Sequence, residues 1–157
     1  MSITFKEGGI ELIDEIKETW EGLNLHHAER SVYFKERFKQ FTFLERREML
    51  ISKSENGEIY VIVAFHKEER IGHCVASIDK KNNGEIDTIF IKKDFRKSGL
   101  GKMFMKKALC WFCTKQVENI NILVASGNEE VLDFYKKFGF EIAGIKLKKI
   151  NKPEKCD

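Results

Sequence analysis

Residues Asp94-Phe-Arg-Lys-Ser-Gly-Leu-Gly-Lys102 gather three cations and two glycines one residue apart. An apolar segment, Ile86-Asp-Thr-Ile-Phe-Ile91, precedes them, and a pattern with Leu100, Phe104, Ala108, Trp111 and Phe112 on one helical face comes after. A strand leading through small residues into a helix leaves the first helical N–H groups without intrahelical acceptors. Glycine keeps side-chain bulk away from them, and the cations of Arg96, Lys97 and Lys102 add positive potential. The chemistry suits a diphosphate. A dinucleotide fingerprint would want a third glycine where Phe104 stands, and a P-loop would want Ser or Thr where Met103 stands, so the cradle is of another kind.

The run Arg96-Lys97-Ser98-Gly99-Leu100-Gly101 resembles the signature of the GCN5-related N-acetyltransferase family: Arg or Gln, two residues, Gly, one residue, then Gly or Ala. The later segment Asn128-Glu-Glu-Val-Leu-Asp-Phe-Tyr-Lys-Lys-Phe-Gly-Phe140 is similar to that family's Asn and Phe-Tyr-x-x-x-Gly-Phe element. The likeness covers the C-terminal half by motif and the N-terminal half by element order. It implies that acetyl-coenzyme A is the cosubstrate, with its diphosphate on the amides around Lys97, Ser98, Gly99, Leu100, Gly101 and Lys102 and the Arg96 cation beside it. It further implies a pantetheine arm lying beside Ile89, Phe90 and Ile91 like an extra strand, in contact with Asn128. Asn128 also stands where it could cap the helix expected from Glu129.

Acetyl transfer to an amine needs a neutral nucleophile. An amine with a pKa of about 10.4 is neutral in only about one molecule in 2,500 at pH 7, an offset of roughly 4.6 kcal/mol. A carboxylate or a water relay eases that loss. Glu85 and Asp87 share one side of the strand before the ligand-binding end, so either could serve, although Glu85 could equally close the Asn82-Asn-Gly84 turn. Coenzyme A departs as a thiolate of pKa near 8.5, and a phenol of pKa near 10 can donate to it. The resemblance assigns that donor to Tyr135 of the Phe134-Tyr135 pair; an ordinary core tyrosine is the other reading. Cys74 has no sequence-local base, so direct transfer in a ternary complex is simpler than an acetyl-cysteine. His26 and His27 fall in an expected connection between the first helices, a region that borders the acceptor in this family.

A length of 157 residues suits one domain spanning 1–157, with a flexible tail from about 151. No stretch is long and apolar enough to span a bilayer, and Met1-Ser-Ile-Thr-Phe-Lys lacks a secretory core, which points to a cytoplasmic protein without a membrane partner. Twenty-eight basic and twenty-five acidic side chains leave +3, a weak excess for a nucleic-acid binder despite Lys146, Lys148, Lys149, Lys152 and Lys155. Four cysteines do not suggest a disulfide scaffold. Cys110 and Cys113 fall inside the helix from Leu100, which favours packing over redox work, and no ligand spacing points to a metal.

Periodicity supplies the scaffold around these residues. Ile3 to Phe5 reads as a short strand, Ile10 to about Gly22 as a helix, Leu23 to His27 as a connection and Ser31 to Phe41 as a second helix. Met49 to Ser52 reads as the start of a strand. Ile59 to Phe65 and Ile71 to Ile78 form a hairpin, and Glu85 to Ile91 is the next strand. After the helix from Leu100 come a strand over Asn119 to Ala125, a helix over Glu129 to Phe138 and a last strand from Phe140. The expected class is α/β (α+β), a mixed, largely antiparallel sheet with helices on both faces. The acceptor is a small-molecule or peptide amine; a noncatalytic acyl-coenzyme A module and a non-amine acceptor are the alternatives. The short segment after Phe140 leaves the sheet edge thin, and a homodimer is one way to complete it.

Overall fold

A computed structural model describes residues 2–150 together with Lys155 and Cys156, so the tail expected from about 151 falls, apart from those two, outside the described residues. Five strands run in the spatial order β1 (Ile3–Gly8), β2 (Glu58–His66), β3 (Glu69–Ile78), β4 (Gly84–Ile91) and β5 (Ile120–Ile122). The first four pair antiparallel, and β5 pairs parallel to β4. Val61–Ala64 on β2 and Ile71–Ala76 on β3 are fully or almost fully enclosed because helices cover both faces.

On one face lies α4 (Leu100–Thr114), whose Leu100, Phe104, Ala108 and Phe112 pack on Ile62, Ala64, Cys74, Ala76 and Ile86. Each large side chain so enclosed stabilises the fold by about 1.5–3 kcal/mol. The other face is covered by the 3-10 turn Ile10–Ile16, by α1 (Lys17–Arg30) and by α3 (Phe43–Glu55), with a short α2 (Lys35–Gln40) between them. Ile13, Ile16, Trp20, Phe43 and Leu50 meet Val61, Val63, Phe65 and Val75 there. A 3-10 turn, Lys93–Phe95, links β4 to α4, and another, Glu129–Val131, leads into α5 (Leu132–Lys136). Among the described residues no helix is long and apolar enough to cross a membrane.

Several elements differ from expectation. Helix α1 runs through Gly22 and through the expected connection, so His26 and His27 are helical rather than loop residues. Gly22 is not a terminator: a Cβ there would stand 3.0 Å from the Phe90 ring, and its absence lets α1 lie close on β4. Met49–Ser52 belongs to α3, not to a strand. That helix starts at a capping box in which Glu45 N–H donates to Thr42 Oγ1 (3.2 Å) and Thr42 N–H donates to Glu45 Oε2 (2.8 Å). Only Lys35–Gln40 of the second helix forms, β5 keeps three residues, and the helix after Asn128 is shared between the 3-10 turn and α5. Glu141–Ile150 forms no strand and is exposed throughout. Cys110 and Cys113 are also exposed, against the packing expected of them.

Two irregularities in β4 open the sheet on its β5 side. Val75 pairs with Thr88 but Ala76 with Ile86, so Asp87 is the extra residue of a bulge. Pairing with β5 covers only Gly84 to Ile86, against Ile120 to Ile122. From Asp87 onward the two parallel strands part company.

Candidate functional site

The gap between β4 and β5 leads to the start of α4. Lys97 and Gly99 are left-handed, at φ 59° and 86°, which curls the run back before the helix begins. Among the described residues no backbone or side-chain acceptor is assigned to the N–H groups of Lys97, Ser98, Gly99, Leu100, Gly101 and Lys102; the first bonded amide is Met103, to Gly99 O at 3.1 Å. A Cβ on Gly99 would meet nothing within 4 Å and would point into open space. Lys97, Ser98, Gly99 and Lys102 are exposed. The geometry is an anion cradle, with the helix dipole adding to the local charge.

Local bonds hold the cradle in shape. Ser98 Oγ donates to Phe95 O (2.5 Å), and Arg96 Nε donates to Ile91 O (2.9 Å) while its guanidinium lies 5.5 Å from the Phe90 ring centroid. Arg96 therefore braces the end of β4. A Cβ on Gly101 would stand 3.2 Å from Phe134 Cζ and 3.5 Å from Ile91 Cδ1. The tip of β4, the first turn of α4 and the Phe134-Tyr135 pair thus converge on one place. Ile89 and Ile91 face the α4 core, and Phe90 faces α1.

Tyr135 is 8% exposed. Burial, with a smaller push from Cys74, holds its phenol well above the usual range, so it remains a proton donor at neutral pH. Cys74 is completely enclosed, and burial, then Asp87, pushes its thiol up, the opposite of what a nucleophile needs.

Glu85 and Asp87 do share a face, as expected, but a residue that sequence reasoning missed stands between them. Lys53 Nζ donates to Glu85 Oε2 (2.6 Å) and, at closer range, to Asp87 Oδ1. Burial disfavours the Lys53 ammonium, yet Asp87 and Glu85 outweigh it and hold its pKa up. Burial likewise pushes the Asp87 carboxyl up, and Lys53 pulls it back only in part. The Asp87 side chain is fully enclosed, and its Oδ2 has no hydrogen-bond partner among the described residues. Arg46 donates through Nη2 to the Asp87 carbonyl (2.7 Å), pinning the bulge to α3. Lys53 and Arg46 are separated from β4 by more than thirty residues, and only the helical register of α3 could have signalled their side. A cleft of about 400 Å³ opens beside them, lined by Lys53, Asn56, Ser77, Glu85, Asn119 and Asn121.

Asn128 occupies the N-cap position before Glu129 but makes no capping bond. Its Oδ1 instead faces His26 Nε2 at 3.4 Å, and Glu130 bridges to Arg30 at 2.8 Å. Gly127 permits this docking, since a Cβ there would lie 2.4 Å from Arg30 O. His26 and Asn128 are thereby brought together from 102 residues apart. His27 turns away: its ring packs on Phe38 at 5.3 Å, and burial, then His26, lowers its pKa to about 4. No group of three or more His, Cys, Asp or Glu capable of holding a metal occurs among the described residues.

Comparison with known proteins agrees with this arrangement. Residues 13–140 match the model of the Acetyltransferase (GNAT) family. An uncharacterised N-acetyltransferase of Methanocaldococcus jannaschii is 31% identical over 67 residues, 43% of this chain and 30% of that one. N-alpha-acetyltransferase 50 of Danio rerio is 30% identical over 108 residues, 66% of this chain and 63% of the relative. The chain therefore spans less than two thirds of either relative. In fold it is similar to the PaiA N-acetyltransferase of Thermoplasma acidophilum, solved in complex with coenzyme A: TM-score 0.71 at 21% identity, covering 93% of this chain and 94% of that one.

Proposed function

Because the chain belongs to the acetyltransferase (GNAT) family, we propose that it moves the acetyl group of acetyl-coenzyme A onto a primary amine by direct attack in a ternary complex. One observation carries the reading: the unpartnered amides of Lys97 to Lys102 lie at the mouth of the β4–β5 gap, where a diphosphate and its attached arm can be held together. The amides bind the diphosphate, and Lys97 and Lys102 neutralise part of its charge. The unpaired edge of β4 at Ile89, Phe90 and Ile91 takes the arm as a further strand, with Asn128 on the opposite wall. The coenzyme A bound by the Thermoplasma structure supports this choice of cosubstrate.

The gap closes at Asp87, so the acetyl carbon belongs near the bulge and the amine approaches through the adjoining cleft. Glu85, which is 42% exposed, takes the ammonium proton through water, while Asp87 supplies the negative potential behind it. The amine nitrogen then bonds to the acetyl carbon, the carbon–sulfur bond breaks, the proton the nitrogen sheds passes to water, and the departing thiolate receives a hydrogen bond from Tyr135 or a proton that water returns to the phenol. The inert, buried Cys74 supports direct transfer over an acetyl-cysteine route. His26 lies across from Asn128, at the edge of the acceptor path, whereas His27 acts through packing.

The Lys53 ammonium spanning both carboxylates favours a second reading, a noncatalytic acyl-coenzyme A module whose base is tied up. Thiol release from acetyl-coenzyme A across a panel of amines and alcohols separates the two. Amine-dependent release supports the transferase; tight coenzyme binding with no acceptor-dependent release supports the module; release with alcohols alone reassigns the acceptor.

A further inference from the structure

Lys53 occupies the place that an acceptor amine would take. It projects from the last turn of α3, and its ammonium lies between Glu85 Oε2 (2.6 Å) and Asp87 Oδ1, the two carboxylates given the task of relieving an acceptor of its proton. Asp87 is the extra residue of the β4 bulge, so the bulge assigned to the acetyl carbon also holds this amine. Other lysine ion pairs among the described residues end on carboxylates outside β4: Lys92 on Glu18 and Glu69, Lys107 on Glu7, Lys115 on Glu58.

A structural brace accounts for only part of this geometry. The Asp87 side chain is fully enclosed, yet its Oδ2 has no hydrogen-bond partner among the described residues, and the Lys53 side chain keeps 34% of its surface exposed. A buried carboxylate left half satisfied beside a half-exposed ammonium destabilises the fold, whereas it suits an acid–base pair whose amine can move. The cleft of about 400 Å³ beside Lys53 leaves room for an added acetyl group.

We propose that Lys53 is itself an acceptor: with acetyl-coenzyme A bound and no amine in the cleft, the chain acetylates its own Lys53 Nζ once, freeing Glu85 and Asp87 for external amines. This rests on the transferase reading given above. The ammonium gives one proton to Asp87 across their hydrogen bond, and the neutral nitrogen bonds to the acetyl carbon. The carbon–sulfur bond then breaks, the nitrogen sheds its second proton through Glu85 to water, and the thiolate takes up a proton. One ammonium and one thioester thus give one acetamide, one thiol and one released proton.

Burial pushes the Asp87 carboxyl up, which makes it the stronger proton acceptor of the two carboxylates. Burial also disfavours the Lys53 ammonium, but Asp87 and Glu85 hold it charged, so the event is slow. Fixed proximity offsets this, since effective molarities of about 100,000 M or more stand against a neutral fraction of about one in 2,500 or less. The acetamide carries no charge and has one N–H to donate. Without the cation the two carboxylates repel each other, and the pair takes a proton more readily from an incoming amine.

The test maps acetyl groups on the full chain by peptide mass spectrometry, as purified and after incubation with isotopically labelled acetyl-coenzyme A in the absence of any amine. The expected result is one acetyl group per chain on Lys53, formed at a rate per chain that dilution leaves unchanged. At subsaturating cosubstrate, Gly99→Asp slows this labelling roughly 5- to 30-fold through its weaker coenzyme binding, while chemical acetylation of exposed lysines stays the same. Labelling of Lys53 no faster than that of exposed lysines, a rate that rises with chain concentration, or full labelling in Gly99→Asp overturns the proposal. Lys53→Gln, whose carboxamide resembles the product, should release thiol with added amine about tenfold faster than Lys53→Arg, which keeps the charge. Equal rates overturn the freeing of the carboxylates. The parent gives the same comparison without a substitution, as a lag in thiol release that disappears once Lys53 is acetylated. Transfer to added amines with Lys53 unmodified refutes this proposal alone; labelled Lys53 without transfer to any added amine refutes the external acceptor alone.

Discussion

Replacing Gly99 isolates the electrostatics of the cradle from its shape. At φ 86° most side chains cost about 1–2 kcal/mol in backbone strain, but Asn and Asp tolerate this region better than other residues and are nearly equal in size. A Cβ there meets nothing within 4 Å and points to the place proposed for the diphosphate. Gly99→Asn and Gly99→Asp therefore share whatever strain exists, and both lower the unfolding midpoint by about 2–4 °C if it amounts to 1 kcal/mol. They differ by one charge. A carboxylate about 5 Å from a phosphate oxygen in this exposed setting is repelled by about 1–2 kcal/mol, so Gly99→Asp binds coenzyme A roughly 5- to 30-fold more weakly than Gly99→Asn at low salt. Calorimetric titration of both variants measures the ratio. In 1 M salt, where the screening length is about 3 Å, it falls toward one. Equal dissociation constants at low salt would refute the cradle, whatever either variant does to stability.

Other sites give further expected outcomes. Tyr135→Phe lowers turnover about 100-fold while coenzyme A affinity changes less than twofold; unchanged turnover in a chemistry-limited assay removes the phenol from the mechanism. His73 is fully buried between Thr19 Oγ1 (2.6 Å) and Thr88 Oγ1 (2.9 Å), and burial, then Arg46, lowers its pKa to about 3. Because the unfolded chain binds this proton first, the stability held above about pH 6.5 declines as pH falls toward 3, by about 2 kcal/mol at pH 5. Urea unfolding from pH 8 to 5 registers the loss, and a His73→Gln variant shows a slope smaller by nearly one proton. His27 adds a lesser contribution of the same sign. Thr42→Ala removes the cap of α3 and costs about 1 kcal/mol, read as a drop of about 2–4 °C in the unfolding midpoint.

The cradle was legible in sequence because all its parts are local: strand, turn, glycines and helix lie within Ile86 to Phe112. The hairpin and the strand bearing Glu85 and Asp87 were legible for the same reason, since strand periodicity is read over a few residues. Gly22 misled because a glycine needed for close approach to Phe90 looks the same as one that ends a helix. The start of α3 did carry a signal, Thr42 and Glu45 at capping-box spacing, but the apolar cluster Met49-Leu50-Ile51 resembled a strand. Lys53 was out of reach because its role exists only once α3 is laid across β4. The strand expected from Phe140 has the right alternation, but Glu141–Ile150 stands exposed, because alternation alone does not bring a segment to an edge.

The early end of the β4–β5 ladder also bears on how the molecule holds together. Among the described residues three pairs join β5 to the antiparallel part of the sheet; α4 and the loop docked on Arg30 carry further connection. Anything that bridges the gap from Ile89 to the α5 side therefore acts as a structural tie as well as a reactant. Amides along that seam should exchange with solvent more slowly when the tie is present, and the rigidity of this half of the protein becomes a function of cosubstrate concentration.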